Sequence, residues 1–388
     1  MMEIEELWAE IDDRVPCLPA RETSLADSLN CVVSGNVLSP GDMPAFDRSS
    51  MDGFAFSSLQ PGRCRILGTI AAGRPLSMSV EEGTSIRILT GGVVPEGTVA
   101  ISKQEDCEVS GDMVSLRDGV RLGWGEFIRR RGGIFSGGDV LLESGAIVSP
   151  GALALLASAG VGVVNAVGRA TVCHLVTGDE IVGAGATLSP GQIYDSNGPM
   201  ISALLAEMGM DVEACRLADD ADALTRQVRE NPADLLLISG GSGPGERDHT
   251  LKALEASGYA IHSSRLNSRP GKPLIFATQG TRIAFGLPGN PLSHWVCFQV
   301  FVKRAIRRLH GLRVPGLGTA RMSAGIEASD SSGDGRRTWT PGVWGFEKDG
   351  AHVRPLPWKH SGDLLSLVGA NALILDPTDH GECRILIL

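Results

Sequence analysis

The sequence lacks the patterns that mark several common protein classes. No apolar run reaches the roughly 18 residues needed to span a bilayer, and the first 14 residues are typical of an amphipathic acidic helix rather than a secretory signal. The eight cysteines form no Cys-x-x-Cys pair, and the eight histidines show no His-Glu-x-x-His spacing. These absences exclude the usual zinc motifs and favour reduced thiols over disulfides. We therefore expect a cytoplasmic protein that does not enter a membrane.

Positive charge and aromatic side chains are also scarce. Lys and Arg total 35 against 45 Asp and Glu, a net charge of −10, so we do not expect a surface for nucleic acid or anionic membranes. An anionic ligand would need a local basic pocket. Only 5% of residues are aromatic but 50 are glycine, which indicates many tight turns and cores of small aliphatic side chains. A length of 388 residues predicts two to four domains.

The order of predicted elements indicates a multidomain α/β protein. An N-terminal helical segment is expected around Ile4–Ile11 and Leu25–Asn30, and a small all-β domain from about 64 to 128. Ser149 and Pro150 then predict a helix start, and Gly160 its end. The following βα alternation is typical of a three-layer α/β domain with a mainly parallel sheet. Predicted strands are 171–176, 212–217, 235–238, 274–277 and 282–285; predicted helices are 199–208, 221–229, 250–257 and 291–310. Residues 312–388 predict a terminal β-barrel or sandwich.

A glycine-rich turn follows the wholly apolar run Leu235–Ile238. Gly240, Gly241, Gly243 and Gly245 would let backbone N–H groups approach a ligand, and a helix is expected to begin near Asp248. The turn matches neither the Gly-Lys-Ser/Thr phosphate loop nor the G-x-G-x-x-G dinucleotide spacing. A phosphate cradle and a structural hairpin or flexible loop both fit this segment.

Carboxylates follow several predicted strands. Glu180 ends the segment Thr177-Gly178-Asp179-Glu180, Asp219 and Asp220 precede a predicted helix, and Asp248 follows the glycine-rich turn. Such residues cap helices, and they also coordinate hard cations. Because the carboxyl ends of parallel strands meet at one edge of a sheet, a Mg²⁺ site beside a phosphoanhydride is a second interpretation.

Cationic residues cluster in two places. Arg265, Arg269 and Lys272 surround two prolines that stiffen the turn, which favours a fixed cationic site. Residues 129–131 are three consecutive arginines, a pattern typical of an exposed face. After the predicted strand 282–285, Asn290 is expected to cap the helix that begins at Pro291.

Taken together, these segments resemble a known family: molybdopterin molybdenumtransferase, the MoeA and gephyrin E-domain family. The matching motifs occur in family order and are Pro44-x-Phe46-Asp47-x-Ser49-x-Met51-Asp52-Gly53-Phe54, Thr90-Gly91-Gly92-Val93-Val94-Pro95-Glu96-Gly97, Arg129-Arg130-Arg131-Gly132, Thr177-Gly178-Asp179-Glu180, Gln192-Ile193-Tyr194-Asp195-Ser196-Asn197, Ser239-Gly240-Gly241, Pro270-Gly271-Lys272-Pro273 and Gly286-Leu287-Pro288-Gly289-Asn290-Pro291. Each motif alone is weak, but their combination is highly specific.

The resemblance implies a four-part subunit. Residues 1–45 and 135–168 would form a discontinuous N-terminal domain, 46–134 an inserted β domain, 169–311 a molybdopterin-binding α/β domain, and 312–388 a C-terminal β-barrel. It also implies a homodimer with each active site between the α/β domain of one subunit and the inserted domain of the other. A molybdopterin adenylyltransferase and acceptor molybdoenzymes are the implied partners.

The resemblance further implies a reaction and its residues. Adenylylated molybdopterin and molybdate would react with the help of Mg²⁺ or a similar divalent cation, AMP would be released, and molybdenum would remain on the dithiolene. By motif, the catalytic residues are Asp52, Asp219 and Asp248; the metal-binding residues are Glu180, Asp219 and Asp248; the substrate-binding residues are Thr90, Gly240, Gly241, Ser242, Asn290 and Pro291; and the molybdate-binding residues are Arg269, Lys272, Ser293, Arg336 and Ser361.

The sequence departs from the family pattern at four positions. Ile134 stands where the family usually has a second carboxylate after the arginines, Arg269 and Arg265 stand where lysines are common, and Pro341 where an arginine is common. Loss of a carboxylate that handles protons or metal could slow turnover by about tens- to thousands-fold. Two alternatives to the insertase therefore remain: a catalytically weakened paralogue that binds or delivers molybdopterin or the finished cofactor, and a nucleotide- or pterin-modifying hydrolase that shares only the α/β domain.

Overall fold

The computed structural model describes residues 1–74, 77–240, 249–323, 335–348, 350–376 and 381–388. The chain forms two compact units. The first consists of Met1–Arg21, Asn30–Val32 and Val167–Leu388, and the second of Glu22–Leu29 and Val33–Ala166. The boundaries of the four predicted domains stay a prediction.

The α-helices of the described residues lie between Ile4 and Leu309. They are α1 (Ile4–Arg14), α2 (Pro150–Ser158), α3 (Asn197–Glu207), α4 (Ala221–Glu230), α5 (His249–Ala256), α6 (Pro291–Cys297) and α7 (Lys303–Leu309). The Ser149 hydroxyl accepts a hydrogen bond from the Ala152 amide and caps α2 as predicted. The Asp220 carboxylate caps α4 in the same way, by accepting from the amides of Asp222 and Ala223. Capping is therefore a role of Asp220.

Short strands make up most of the rest of the described chain. Up to residue 167 they are β1 (Ala20–Ser24), β2 (Val37–Leu38), β3 (Arg48–Ser49), β4 (Gly53–Phe56), β5 (Cys64–Ile70), β6 (Thr84–Ile88), β7 (Ala100–Lys103), β8 (Cys107–Ser110), β9 (Met113–Leu116), β10 (Ile128–Arg129), β11 (Val140–Leu142) and β12 (Val163–Val167). Beyond it they are β13 (Val172–Thr177), β14 (Ile181–Val182), β15 (Ile193–Tyr194), β16 (Val212–Leu217), β17 (Leu235–Ser239), β18 (Ala260–Ser263), β19 (Ser268–Arg269), β20 (Ile275–Gln279), β21 (Arg282–Leu287), β22 (Gly318–Met322), β23 (Arg337–Glu347), β24 (Gly350–Pro355), β25 (Ala372–Leu375) and β26 (Glu382–Ile387).

The first unit contains a three-layer α/β fold. Its sheet has the order β16-β13-β17-β21-β20-β18. The first four strands pair in parallel. Strand β20 pairs antiparallel with both β21 and β18, so β20 runs against the other five strands. Alternate residues of β17 face opposite cores: Leu235 and Leu237 pack with α3, α6 and α7, and Leu236 and Ile238 pack with α4 and α5. The predicted three-layer α/β domain with a mainly parallel sheet is confirmed.

The C-terminal strands of the first unit close into a barrel. Strand β23 pairs with β24, β24 with β22, β22 with β26, β26 with β25, and β25 again with β23. Ala320, Val353, Ala372, Ile374 and Ile385 fill its interior. The barrel was one of the two predicted alternatives for this segment.

The second unit is built on a six-stranded sheet with the order β7-β4-β6-β5-β9-β8. Phe54 and Phe56 of β4 belong to one apolar cluster, while Ala55 packs with Ile86 and Ile101 in another. This alternation agrees with the all-β domain that the spacing of Val, Ile and Leu predicts.

Two helix predictions are wrong in part. Residues 25–30 form turns rather than a helix: Ser24 ends a strand, and Asn30 has a φ of +64°, which helical backbone does not adopt. The predicted helix 291–310 is interrupted, because Phe298–Val302 forms a π-helical segment between α6 and α7. All five residues of that segment are buried, so apolar periodicity alone cannot show the change in winding.

Candidate functional site

A cavity of about 800 Å³ opens where three parallel strands of the α/β sheet end. Its lining includes Thr177 at the end of β13 and Glu180 just after it, Ser239 and Gly240 at the end of β17, and the turn 288–291 after β21. This is the edge of the sheet at which open α/β folds hold ligands. The sequence predicts that the glycine-rich turn after Ile238 and the carboxylate segment 177–180 each follow a strand at this edge.

Nine of the residues assigned by resemblance line this one cavity. They are Glu180, Gly240, Arg269, Lys272, Asn290, Pro291, Ser293, Arg336 and Ser361. They come from six separate segments of the chain, so their convergence is a property of the fold. Gly241, Ser242 and Asp248 lie outside the described residues.

Three other assigned residues do not line the cavity. Asp219 follows β16, and its amide donates to Asp179 Oδ1 at 3.1 Å, which ties two strand-end loops together. Asp52 and Thr90 belong to the second unit. The amide and hydroxyl of Thr90 both donate to Asp52 Oδ1 at 2.7 Å. These hydrogen bonds to the charged form hold the pKa of Asp52 below its usual value.

The glycine at position 240 is required by its surroundings. Its φ is +96°, and a β-carbon there would lie 2.7 Å from both the carbonyl oxygen and the hydroxyl of Thr177. Such a contact is far inside van der Waals distance, so a side chain would push β13 and β17 apart. Gly240 therefore allows the backbone at the end of β17 to pass close to the neighbouring strand.

The cavity is locally basic although the chain is acidic. Four Lys or Arg side chains and two carboxylates line it, which gives +2, whereas the whole chain carries −10. The guanidinium of Arg269 lies over the ring of Trp358, 5.2 Å from its centroid. Lys359 and His360 also line the cavity. Sequence reasoning did not identify Trp358, Lys359 or His360, although a lysine and a histidine directly before Ser361 were visible.

Side chains from two other segments hold the turn between β21 and α6. Asn197 Nδ2 donates to the Gly289 carbonyl at 2.8 Å, and Asn290 Nδ2 donates to Ser361 Oγ at 2.7 Å. The Leu292 amide donates to the Ser361 carbonyl at 3.0 Å. Asn290 does occupy the N-cap position of α6, but its side chain makes no capping bond. The predicted N-cap position is therefore confirmed, but the Asn290 side chain donates from Nδ2 to Ser361 and caps no helix amide.

Two histidines are buried beside the cavity. His174 on β13 and His294 on α6 are 0% exposed, and both approach the hydroxyl of Ser239, which lines the cavity. Burial lowers the pKa of His174 to about 3 and that of His294 to about 4, so both are neutral near pH 7. Sequence reasoning missed both, although a histidine inside the apolar strand 172–177 was a visible signal.

One assigned cation ligand, Glu180, lies in the cavity. Among the residues that the structure describes, no group of three or more His, Cys, Asp or Glu side chains is arranged to hold a metal ion. Mg²⁺ commonly uses only one or two protein carboxylates and takes its other ligands from phosphates and water. A carboxylate oxygen beside an anion-binding cavity fits that donor set.

The three consecutive arginines at 129–131, which belong to the second unit, are exposed, as predicted. Two of them form ion pairs: Arg130 Nη1 lies 2.6 Å from Asp47 Oδ2, and Arg131 Nε lies 2.5 Å from Asp42 Oδ2. Ile134, which follows them, is 60% exposed. The departure from the family pattern at Ile134 therefore lies at a surface position.

Comparisons with known proteins agree with the geometry along nearly the whole chain. The family model described as MoeA N-terminal region (domain I and II) matches residues 2–160. The model described as probable molybdopterin binding domain matches 173–308, and the MoeA C-terminal region (domain IV) matches 326–382. A molybdopterin molybdenumtransferase from Haemophilus influenzae is 33% identical over 324 residues, which covers 80% of this chain and 78% of that protein.

The chain belongs to the MoeA family. A second relative, molybdopterin molybdenumtransferase 2 from Mycobacterium tuberculosis, is 31% identical over 372 residues and is matched over 92% of this chain and 90% of its own length. The crystal structure of a molybdopterin biosynthesis MoeA protein from Pyrococcus horikosii has a TM-score of 0.78, is 24% identical, and covers 100% of this chain and 99% of that one. These likenesses confirm the family and the multidomain fold predicted from the sequence.

Within the described ranges of this MoeA-family chain, no helix is both long and apolar enough to cross a bilayer.

The buried histidines give a prediction for stability. The pKa of His294 is about 4 in the folded protein and about 6.5 in an unfolded chain, so the unfolded state binds more protons between these values. The free energy of unfolding should be unaffected by this residue above pH 6.5 and fall as the pH is lowered towards 4, by about 3 kcal/mol for His294 alone.

Urea unfolding at pH 7 and pH 5 measures this effect. In the His294→Leu variant the loss of stability on acidification should be smaller than in the parent protein, because one of the groups that takes up a proton on unfolding is gone. An equal loss in both proteins would mean that His294 does not remain neutral in the folded state.

Proposed function

We propose that this chain is a molybdopterin molybdenumtransferase of molybdenum cofactor biosynthesis. It transfers molybdenum from molybdate to adenylylated molybdopterin and releases AMP in a step that depends on a divalent cation. The observation that carries this proposal is the single cavity lined by nine of the residues assigned by resemblance. A molybdopterin adenylyltransferase would supply the substrate, and acceptor molybdoenzymes would receive the product.

The chemistry of the lining suits two anionic ligands. Molybdate is a small dianion, and Arg269, Lys272 and Arg336 offer it charge-assisted donors beside the hydroxyls of Ser293 and Ser361. The backbone at Gly240 and the turn with Asn290 and Pro291 offer amide and carbonyl groups for the pterin or the nucleotide. The local charge of +2 supports this division of roles, since the acidic chain as a whole repels both ligands.

Glu180 is the residue of the cavity lining that we assign to the cation. Mg²⁺ or a similar ion would neutralise phosphate charge when bound. Asp219 and Asp248 keep the metal-binding and catalytic roles that the resemblance implies, and Asp52 its catalytic role and Thr90 its substrate contact, all as proposals. We also propose the homodimer and the four-part division of the subunit on the same grounds.

The runner-up function is a carrier that binds molybdopterin or the finished cofactor without releasing AMP. Exposed Ile134 favours it, because an isoleucine at this position can neither bind a cation nor accept a proton. The hydrolase alternative is weaker, since the family models match regions well beyond the α/β domain.

Quantified AMP release separates the two functions. The protein is incubated with adenylylated molybdopterin and Mg²⁺, with and without molybdate, and AMP is measured by chromatography over time. The insertase should release AMP in a molybdate-dependent manner and yield a molybdenum-loaded product. Tight binding of the pterin without AMP release would instead establish the carrier.

The cationic wall gives a second prediction. Lys272→Ala should raise the molybdate concentration needed for half-maximal AMP release by about tenfold to a hundredfold, because a charged hydrogen bond contributes about 1.5–3 kcal/mol. Ser293→Ala, which removes a neutral donor, should raise it about fivefold. Affinity for the adenylylated pterin should change little in either variant.

Lys348→Ala is the matched control, since it removes an equal charge from an exposed turn outside the cavity. It should leave the molybdate dependence unchanged. If Lys272→Ala weakened molybdate and adenylylated pterin equally, a separate molybdate pocket would be ruled out.

Ile134 gives a third prediction. Because this side chain is 60% exposed, a carboxylate there would be solvated, and Ile134→Asp should keep the melting temperature of the parent protein. If the position serves the insertase reaction, AMP release should rise, whereas the uncharged Ile134→Asn should give no gain. A stable Ile134→Asp protein without faster AMP release would show that this position carries no catalytic carboxylate in the reaction.

A further inference from the structure

Three polar side chains form a buried row beside the cavity. His174 lies on β13, Ser239 is the last residue of β17, and His294 lies on α6; they are 0%, 2% and 0% exposed. The functional assignments above use none of these side chains. Ser239 lines the cavity, so the row begins in the sheet and reaches the wall of the site.

The hydrogen bonds of this row have a defined direction. His294 Nδ1 lies 2.9 Å from the Pro288 carbonyl oxygen, which can only accept, so Nδ1 carries the proton. In the neutral ring, Nε2 is then an acceptor, and it faces Ser239 Oγ at 3.4 Å. The serine hydroxyl donates to it and accepts from His174 Nε2 at 2.5 Å. The chain of donors therefore runs from His174 through Ser239 and His294 to Pro288.

The row ends at the turn 288–291, which lines the cavity. The turn 288–291 has proline at both ends, and proline has no N–H to donate. Asn197 and Ser361 hold Gly289 and Asn290 by side-chain hydrogen bonds. The His294 side chain holds the Pro288 carbonyl from inside the protein.

A serine between two imidazoles could also be an activated nucleophile. The environment argues against that role. Burial lowers the pKa of His174 to about 3 and of His294 to about 4, so both are weak bases at neutral pH, and a general base works best with a pKa near the working pH. Neutral rings with fixed protons are better suited to holding neighbouring groups in place.

We propose that His174, Ser239 and His294 are positioning residues that fix the turn 288–291 in its ligand-binding geometry through one directional hydrogen-bond chain ending at the Pro288 carbonyl. The inference rests on the proposed function in one respect: the ligand whose binding depends on this turn is taken to be the nucleotide part of the substrate. The positioning of the turn itself does not depend on that identity.

Four variants test this hydrogen-bond chain. His294→Leu removes both hydrogen bonds of the ring, whereas His294→Asn keeps a donor at the position of Nδ1 and so can still hold Pro288. Ser239→Ala breaks the link between the rings and keeps both of them. His310→Leu is the matched control: His310 accepts from the Ala170 amide, burial lowers its pKa to about 4, and it does not line the cavity.

The first readout needs no ligand. Hydrogen–deuterium exchange of peptides that cover residues 286–297 should be faster in His294→Leu than in the parent protein, intermediate in Ser239→Ala, and restored towards the parent rate in His294→Asn. The His310→Leu control should exchange at the parent rate in these peptides even if its melting temperature falls as far.

The second readout is the dissociation constant of AMP, measured by calorimetry. His294→Leu should weaken AMP about tenfold, because a loosened turn must be ordered on binding, and His294→Asn should recover most of that loss. If the parent protein binds no AMP, the proposed function fails at this point, and the exchange rates alone decide the inference.

Two results would overturn the positioning role. One is parent-like exchange of the turn in folded His294→Leu or, should that variant not fold, in Ser239→Ala. The other is His294→Asn or His310→Leu behaving like His294→Leu, because the effect would then follow from general destabilisation rather than from the bond to Pro288.

Discussion

The burial of β17 on both faces constrains the rest of the α/β unit. A strand whose alternate leucines and isoleucine face two apolar cores has no room for polar side chains until it ends. In β17, polar side chains therefore appear only from Ser239, its last residue, onward. The parallel neighbours β13 and β21 are also largely buried, but β13 does hold one polar side chain within its apolar run, His174, which is hydrogen-bonded to Ser239. Because the three strands run in register, their loops emerge side by side. The cavity at this edge follows from that arrangement, and the C-terminal segment adds Arg336 and the residues around Ser361.

The sequence predicts the elements whose signals are local or periodic. The strand and helix alternation of the α/β domain and the cap at Ser149 are visible in residue spacing, and the structure confirms both. Of the glycines in the predicted turn after Ile238, the described residues include Gly240 alone. The prediction of a helix over 25–30 is wrong, because six residues are too few for apolar periodicity to outweigh the turn-forming side chains of Asp, Ser and Asn. The π-helical segment within 291–310 could not be seen either, because every residue there is buried.

In the candidate site, too, some residues can be identified from the sequence and others only from the fold. Motif resemblance selected nine residues that the fold brings together, but it gave no reason to select Trp358, Lys359 or His360, which reach the cavity only through the folding of the C-terminal segment. The contact between His174 and His294 joins residues 120 positions apart in the chain, through Ser239. Contacts of that kind depend on strand order and register, which no local pattern encodes.

The opposite signs of the cavity and of the whole chain have a consequence for how ligands arrive. At low ionic strength a dianion approaching from far away meets the field of a protein with charge −10, and is repelled before it reaches the basic lining. At physiological salt the Debye length is about 8 Å, so the distant field is screened while the contacts within the cavity are largely kept. Added salt therefore removes a barrier to encounter before it weakens the bound state, and the ionic strength of the cell favours capture of its anionic ligands.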